Sequence, residues 1–345
     1  MARGSVADLH DQYDRHSIAP ASERILTRSR WLLLFSVAVV GGVVLLAITH
    51  REETREFWQN LSRLSPVAVI TAFLLILGQV TFQALRMWAV IPRDTPLSVA
   101  RIGYIFTVGD WTNIFVPARG GDALKVLLMT RAEGGHRMSL TKATGAMLAD
   151  KVVDIGTLIL LCASTGLMNL LAAKTRAMVP VFLMVIAAAG ILVLVLAAIR
   201  RGWPLWWAAR KAGLRDLGGG LSALKDPRRC VASVSFSVAA RLAEVLALRV
   251  LCVAVGFPLS LPQVLLALVI VNLSVSVPVS IASLGMYEAG LAYGLTRSGM
   301  PLPVAIMIAT THHVLELAGI TLSAAGYALA SHRTRRKADY SVGAL

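Results

Sequence analysis

The chain has 345 residues, 56% of them apolar and 15% charged, with 34 Lys and Arg against 19 Asp and Glu for a formal charge of +15. Soluble chains carry about a quarter charged residues, and the apolar residues here fall in long uncharged runs rather than in helix or strand periodicity. A soluble enzyme and a disordered basic tail are excluded, and so is a nucleic-acid partner, because the basic residues lie between apolar runs instead of on one face.

Residues 1–30 are too many and too acidic for a signal-peptide n-region and lead to no small-residue cleavage site. They are expected to be a cytoplasmic N-terminal segment, with 31–50 a retained helix. A crossing helix needs about 20 apolar residues. Further runs of that length stand at 64–85, 155–173 and 177–199, then at 230–256, interrupted by Arg241, Glu244 and Arg249, and at 303–330, interrupted by Glu316. That predicts six crossings.

Two segments are left, 97–131 and 261–296, each too long for a loop and each split by Pro and Gly. Their pieces 119–130 and 284–296 make only about 18 to 20 Å of helix, too short to span. Each segment is read as a re-entrant hairpin, a backbone form tolerated at membrane depth only where it is buried in protein or lines a cavity. The predicted fold is an all-α integral membrane protein with six crossing helices plus two re-entrant helical hairpins. Its membrane domain covers 31–330 and a cytoplasmic tail covers 331–345. Cys162, Cys230 and Cys252 all lie inside apolar runs without a metal-ligand spacing, so no disulfide framework, metal or cofactor is expected.

Basic residues in cytoplasmic loops set orientation. With the N-terminus inside, 22 basic residues are cytoplasmic, 6 are external and 6 lie in or near the membrane. Both termini are therefore expected in the cytoplasm, with the first hairpin entering from inside and the second from outside. A Trp-rich basic stretch at 203–215 fits an interfacial segment on the cytoplasmic face.

The polar residues of two halves, about 66–173 and 230–330, recur in one order on either side of a basic cytoplasmic loop at 200–229. Ala84-Leu85-Arg86 is matched by Ala247-Leu248-Arg249, Asp122-Ala123 by Glu288-Ala289, and Thr130-Arg131 by Thr296-Arg297. Asp150-Lys151-Val152-Val153-Asp154 is matched by His312-His313-Val314-Leu315-Glu316. One hairpin on each side makes the repeat inverted, an architecture of secondary transporters. The alternative is an old duplication kept for packing.

Pro117-Ala118-Arg119-Gly120-Gly121-Asp122-Ala123-Leu124-Lys125 breaks the first hairpin and opens a helix whose free N–H groups and dipole suit an anion, with Arg119 and Lys125 as adjacent cations. The plain alternative is a turn with Asp122 as cap and the two cations reaching the headgroups. Glu288 opens the matching helix, and Arg241 and Glu244, three apart, are expected to pair, with Arg249 further along. His312, His313 and Glu316 form either a proton relay or a satisfied hydrogen-bond cluster. Asp150 and Asp154 form an acid pair, with Lys151 between them favouring an ion network over hydrolysis.

At Pro117 to Lys125 and at Leu284-Gly285-Met286-Tyr287-Glu288-Ala289 the chain resembles the membrane region of lysylphosphatidylglycerol synthases, which also occurs as a standalone membrane protein. The resemblance covers about residues 66–330. It implies lipid translocation, headgroup synthesis belonging to a separate aminoacyltransferase domain that this chain, ending at Leu345, is not expected to contain. Lys151 and His313 stand where the family usually has Arg, and Ser283 lies where a glycine is usual. The expected function is translocation of an anionic lipid or lipid-linked headgroup across a bacterial inner membrane, with headgroup contacts from Arg119, Gly120, Gly121, Asp122, Lys125, Arg249 and Glu288. The expected partners are the anionic lipid and, as a candidate, a separately encoded lipid-modifying enzyme. Two alternatives stay open: a membrane-embedded lipid-modifying enzyme using Asp150, Asp154 or Glu288, and a non-transporting scaffold.

The topology is directly testable. Single-cysteine labelling in a chain freed of its native cysteines is expected to find the 131–142 loop on the cytoplasmic side and position 297 outside. Both on one side would remove the inverted arrangement.

Overall fold

The computed structural model describes Arg55 and residues 58–62, 64–95, 97–115, 120–131, 138–171, 212–275, 283 and 285–342. The chain divides into two units, Met1–Gln59 and Asn60–Leu345. Of the first, only Arg55, Trp58 and Gln59 are described, all helical. The expectations for 1–50, for the span 177–199, for the Trp-rich stretch up to 211 and for Arg119 lie outside the described residues.

Local chemistry sets where the helices of the second unit begin. α1 (Pro66–Val90) has proline in its first turn, and the Ser65 hydroxyl accepts the Ala68 N–H at 3.2 Å. α2 (Val99–Phe115), α3 (Gly120–Thr130) and α4 (Leu140–Leu171) follow. A short α5 (Ala212–Gly220) and a 3-10 turn (Leu221–Leu224) lead to α6 (Pro227–Ala254), where Asp226 accepts the Arg228 N–H at 3.0 Å. α7 (Leu261–Ser274), α8 (Met286–Arg297) and α9 (Leu302–Val342) complete the chain. Gly285, at φ 81°, makes the entry to α8 in a backbone region that costs glycine little.

The order long, short, short, long therefore occurs twice, in α1 to α4 and again in α6 to α9. The short helices pack in pairs, α2 on α3 and α7 on α8, while α1 lies along α6. Each closing helix crosses over: α9 packs on α2, and α4 packs on α7. α1 and α6 run antiparallel, since Arg229 near the start of α6 donates to the carbonyls of Ala89, at 3.0 Å, and Ile91 at the end of α1. Those carbonyls have no intrahelical donor, and the guanidinium supplies one.

Glycines let the short helices approach. A Cβ on Gly121 would stand 1.8 Å from the Gly109 carbonyl oxygen, and one on Gly294 would stand 2.6 Å from the Ala267 Cα. In both pairs the helices meet nearly backbone to backbone, as small residues allow in membrane helices.

By length and composition, α1 and the stretch Leu302–Ser331 of α9 can cross a membrane. The α3, α7 and α8 helices have 11, 14 and 12 residues, or about 17 to 21 Å, short of the hydrocarbon core. Two boundaries differ from the sequence expectation. α4 begins at Leu140, well before 155, because Asp150 and Asp154 find partners inside the bundle and need not mark a loop. The expected tail starts as a continuation of α9, whose last turns carry 333–337.

The glycine contact is expected to be sensitive to size. Gly121→Val should destabilise the α2–α3 pair by about 1 to 3 kcal/mol, lowering the thermal unfolding midpoint in detergent. Gly326→Ala, where a Cβ meets nothing within 4 Å, serves as the control and should leave it unchanged.

Candidate functional site: a buried charge layer

The helix start in the first half places its charges inward. The Gly121 N–H at the beginning of α3 donates to the Asn113 side-chain oxygen at 2.8 Å, so Asn113 of α2 takes the capping role that the sequence offered to Asp122. Asp122 turns to cations instead, reaching Lys125 at 3.4 Å and Lys151 of α4 at 3.2 Å. Lys125 is 1% exposed, bonds Asp110 of α2 at 2.5 Å and lies 4.5 Å from the centre of the Phe106 ring. Its ammonium is enclosed by protein groups rather than by a headgroup surface. Gly120 begins the helix and Gly121 is buried against α2.

One turn above, Arg86 of α1 reaches into α4. Its guanidinium grips both oxygens of Asp150, at 2.8 and 3.1 Å, and an oxygen of Asp154 at 2.5 Å. Arg241 of α6 holds that same Asp154 oxygen at 3.1 Å, Glu244 at 2.9 Å and, more weakly, Asn272 of α7 at 3.4 Å. Asp154 is thus shared by an arginine from each half. A guanidinium suits this role because its fork of donors binds carboxylates at fixed geometry and stays charged.

In the second half Glu288 divides its oxygens. One accepts the Gly285 N–H at 2.7 Å and caps α8, and the other meets His313 Nδ1 of α9 at 2.7 Å. The Tyr287 ring stacks on His313 with centroids 4.2 Å apart, and its hydroxyl meets His312 Nδ1 at 2.7 Å. Glu316 is 3.9 Å from His312 and faces Gln79 of α1, Tyr287, and Glu244 and Arg241 of α6. In this layer seven acids, Asp110, Asp122, Asp150, Asp154, Glu244, Glu288 and Glu316, stand with Lys125, Lys151, Arg86 and Arg241 and the two histidines, His312 and His313.

The matched positions of the two halves make matched contacts. Asp122 pairs with Lys151, and its counterpart Glu288 pairs with His313, the base that occupies the corresponding place. Arg249 breaks the symmetry. Where Arg86 holds Asp154, Arg249 is exposed, donates to the Leu259 carbonyl at 3.4 Å and lines an open groove with Ser65 and Thr71, away from Glu316. Arg241 and Glu244 pair as their spacing implies, whereas Asp150 binds Arg86 and leaves Lys151 to Asp122. Sequence reasoning missed Asp110, Asn113, Gln79 and Tyr287 as members of the site and read Arg86 only as a repeat marker. A charged group within an apolar segment, as at Arg86 and Asp110, was the available signal.

The family model described as "Lysylphosphatidylglycerol synthase TM region" matches residues 33–324. No curated protein and no solved structure matches. The chain belongs to that family and is a helical membrane protein with a lipid-related role. The match begins well before residue 66.

The shared carboxylate makes a stability prediction. Arg86→Gln strands Asp150 and leaves Asp154 to Arg241 alone, so it should cost about 3 to 5 kcal/mol, the usual effect of removing one member of a buried pair. Adding Asp150→Asn to that variant should recover part of the loss. A double-variant cycle on unfolding in detergent measures the coupling, and independent effects would dissolve the pair.

Proposed function

We propose that this member of the lysylphosphatidylglycerol synthase transmembrane-region family translocates an anionic lipid headgroup between membrane leaflets. The two helix quartets act as an inverted repeat, and the acyl chains stay in the bilayer. One observation carries the reading: the half-for-half correspondence in which the acid opening each second short helix meets a base on each closing helix, Asp122 with Lys151 and Glu288 with His313. A duplication kept for packing needs apolar contacts to recur. It gives no reason for partly buried acid–base contacts to recur at the same places, while a site approached alternately from two sides does.

The headgroup contact is placed at the entry to α3, where Arg119 stands next to helix N–H groups in the sequence. Lys125, being enclosed by Asp110 and Asp122, sets the geometry of that helix rather than meeting the lipid. We place the protein in a bacterial inner membrane with both termini in the cytoplasm, on the strength of the basic bias of its loops. Two short-helix pairs entering from opposite sides complete the proposed topology.

Proteoliposomes with a labelled anionic phospholipid test the reading. Arg119→Ala is expected to slow transbilayer movement roughly tenfold, the loss of a charge-assisted hydrogen bond of about 1.5 kcal/mol or more, with unchanged folding and unchanged lipid mass. A change in lipid mass on incubation with the wild type would mark an enzyme, and movement no faster than in protein-free vesicles would mark a scaffold.

A further inference from the structure

Arg249 stands outside the buried charge layer. It lies in an apolar stretch of α6, five residues before Ala254 at the helix end, and it is exposed. A charge within such a segment normally turns inward to a partner, as Arg86 does at the matching place in the first half, where Asp150 and Asp154 hold it. Arg249 turns outward instead. Its Nε donates to the Leu259 carbonyl at 3.4 Å, and among the described residues no carboxylate pairs with it. An unpaired guanidinium on the membrane-facing side of a helix calls for an anion from outside the chain.

The guanidinium opens onto a groove of about 360 Å³ between the first turns of α1 and the last turns of α6, which lie side by side because the two helices run antiparallel. Val67, Leu246 and Val253 are its apolar walls, all exposed and so turned to lipid in a bilayer. Ser65 and Thr71, also exposed, add hydroxyls along α1. The Ser65 oxygen accepts the Ala68 N–H and keeps its own O–H to donate. With 25 residues, or about 38 Å, α1 is longer than the hydrocarbon core, which puts Ser65 at headgroup level. Arg249 lies about 8 Å inside the end of α6, and its bond to Leu259, beyond that end, draws the guanidinium back toward the same level.

We propose that this groove binds one anionic phospholipid of the leaflet at which α1 begins, the outer leaflet in the topology given above. Arg249 holds the phosphate by charge-assisted hydrogen bonds, and Ser65 donates to it from the start of α1. Thr71, about 9 Å further along α1, donates to an ester carbonyl, and the acyl chains leave over Val67, Leu246 and Val253 into the bilayer. The occupant is a lipid rather than a soluble anion because the walls are apolar and open sideways. It is anionic rather than zwitterionic because no acid lines the groove to receive a headgroup cation, which Arg249 would repel. The groove is lined by α1 and α6, the opening helices of the two halves, and not by α3, where the translocated headgroup is proposed to enter. Sequence alone assigned Arg249 and Arg119 to one headgroup contact; the fold gives Arg249 a groove of its own.

Native mass spectrometry of the full chain in detergent, titrated with phosphatidylglycerol or with phosphatidylcholine of the same acyl chains, tests the site. The titrations are run in Arg119→Ala, which disables the contact that the translocation reading relies on, and they read no lipid movement, so the two readings fail separately. The expected result is a first phosphatidylglycerol bound about fivefold more tightly than phosphatidylcholine, the preference one basic residue at the interface gives. Adding Arg249→Gln should remove the preference and weaken that first binding about tenfold, with an unchanged unfolding midpoint because the side chain is exposed and unpaired. Thr71→Val, which keeps both the shape and Arg249, should weaken it several-fold. Graded uptake of both lipids with no preferred first site, an unchanged preference in folded Arg249→Gln, or a dimer that Arg249→Gln dissociates would overturn the proposal, the last by giving the groove to a second copy of the chain.

Discussion

The structure depends on a single shared carboxylate. Asp154 on α4 is held by Arg86 from α1 at 2.5 Å and by Arg241 from α6 at 3.1 Å, and these three helices come from both halves of the chain. Between apolar helices an unpaired ion is too costly to keep, so each charge placed there dictates where its partners must stand. Asp150 then completes Arg86, Glu244 completes Arg241, and the rotation of α1, α4 and α6 about their own axes is settled by where the charges must meet. Apolar contacts alone give little such direction in a bilayer, where lipid tails are as apolar as leucine.

The two halves use one plan with different chemistry. In the first, Asp122 meets Lys151 and the buried ammonium of Lys125 adds Asp110, so every acid at the start of α3 has a permanent cation within reach. In the second, Glu288 meets a histidine, and the residue matching Asp154, Glu316, has no arginine of its own because Arg249 lies off at the exposed groove. One half sets lysine and arginine against its acids, the other sets histidine against Glu288.

Much of this was legible in the sequence where a residue breaks a pattern. Proline and glycine between apolar runs gave the two short-helix pairs, and the charges inside apolar segments gave the second-half cluster and the Arg241–Glu244 pair. The boundaries of α4 were not legible, because a hydropathy scan treats Asp150, Lys151 and Asp154 as the edge of a span when their partners on α1, α3 and α6 make them its interior. Partner choice was also beyond reach. Lys151 stands between two aspartates in the chain, yet a helix turns adjacent residues about 100° apart, which sends Lys151 toward α3 and Asp150 toward α1. Gln79 and Tyr287 carry no charge and interrupt no pattern, so only packing brings them into the site.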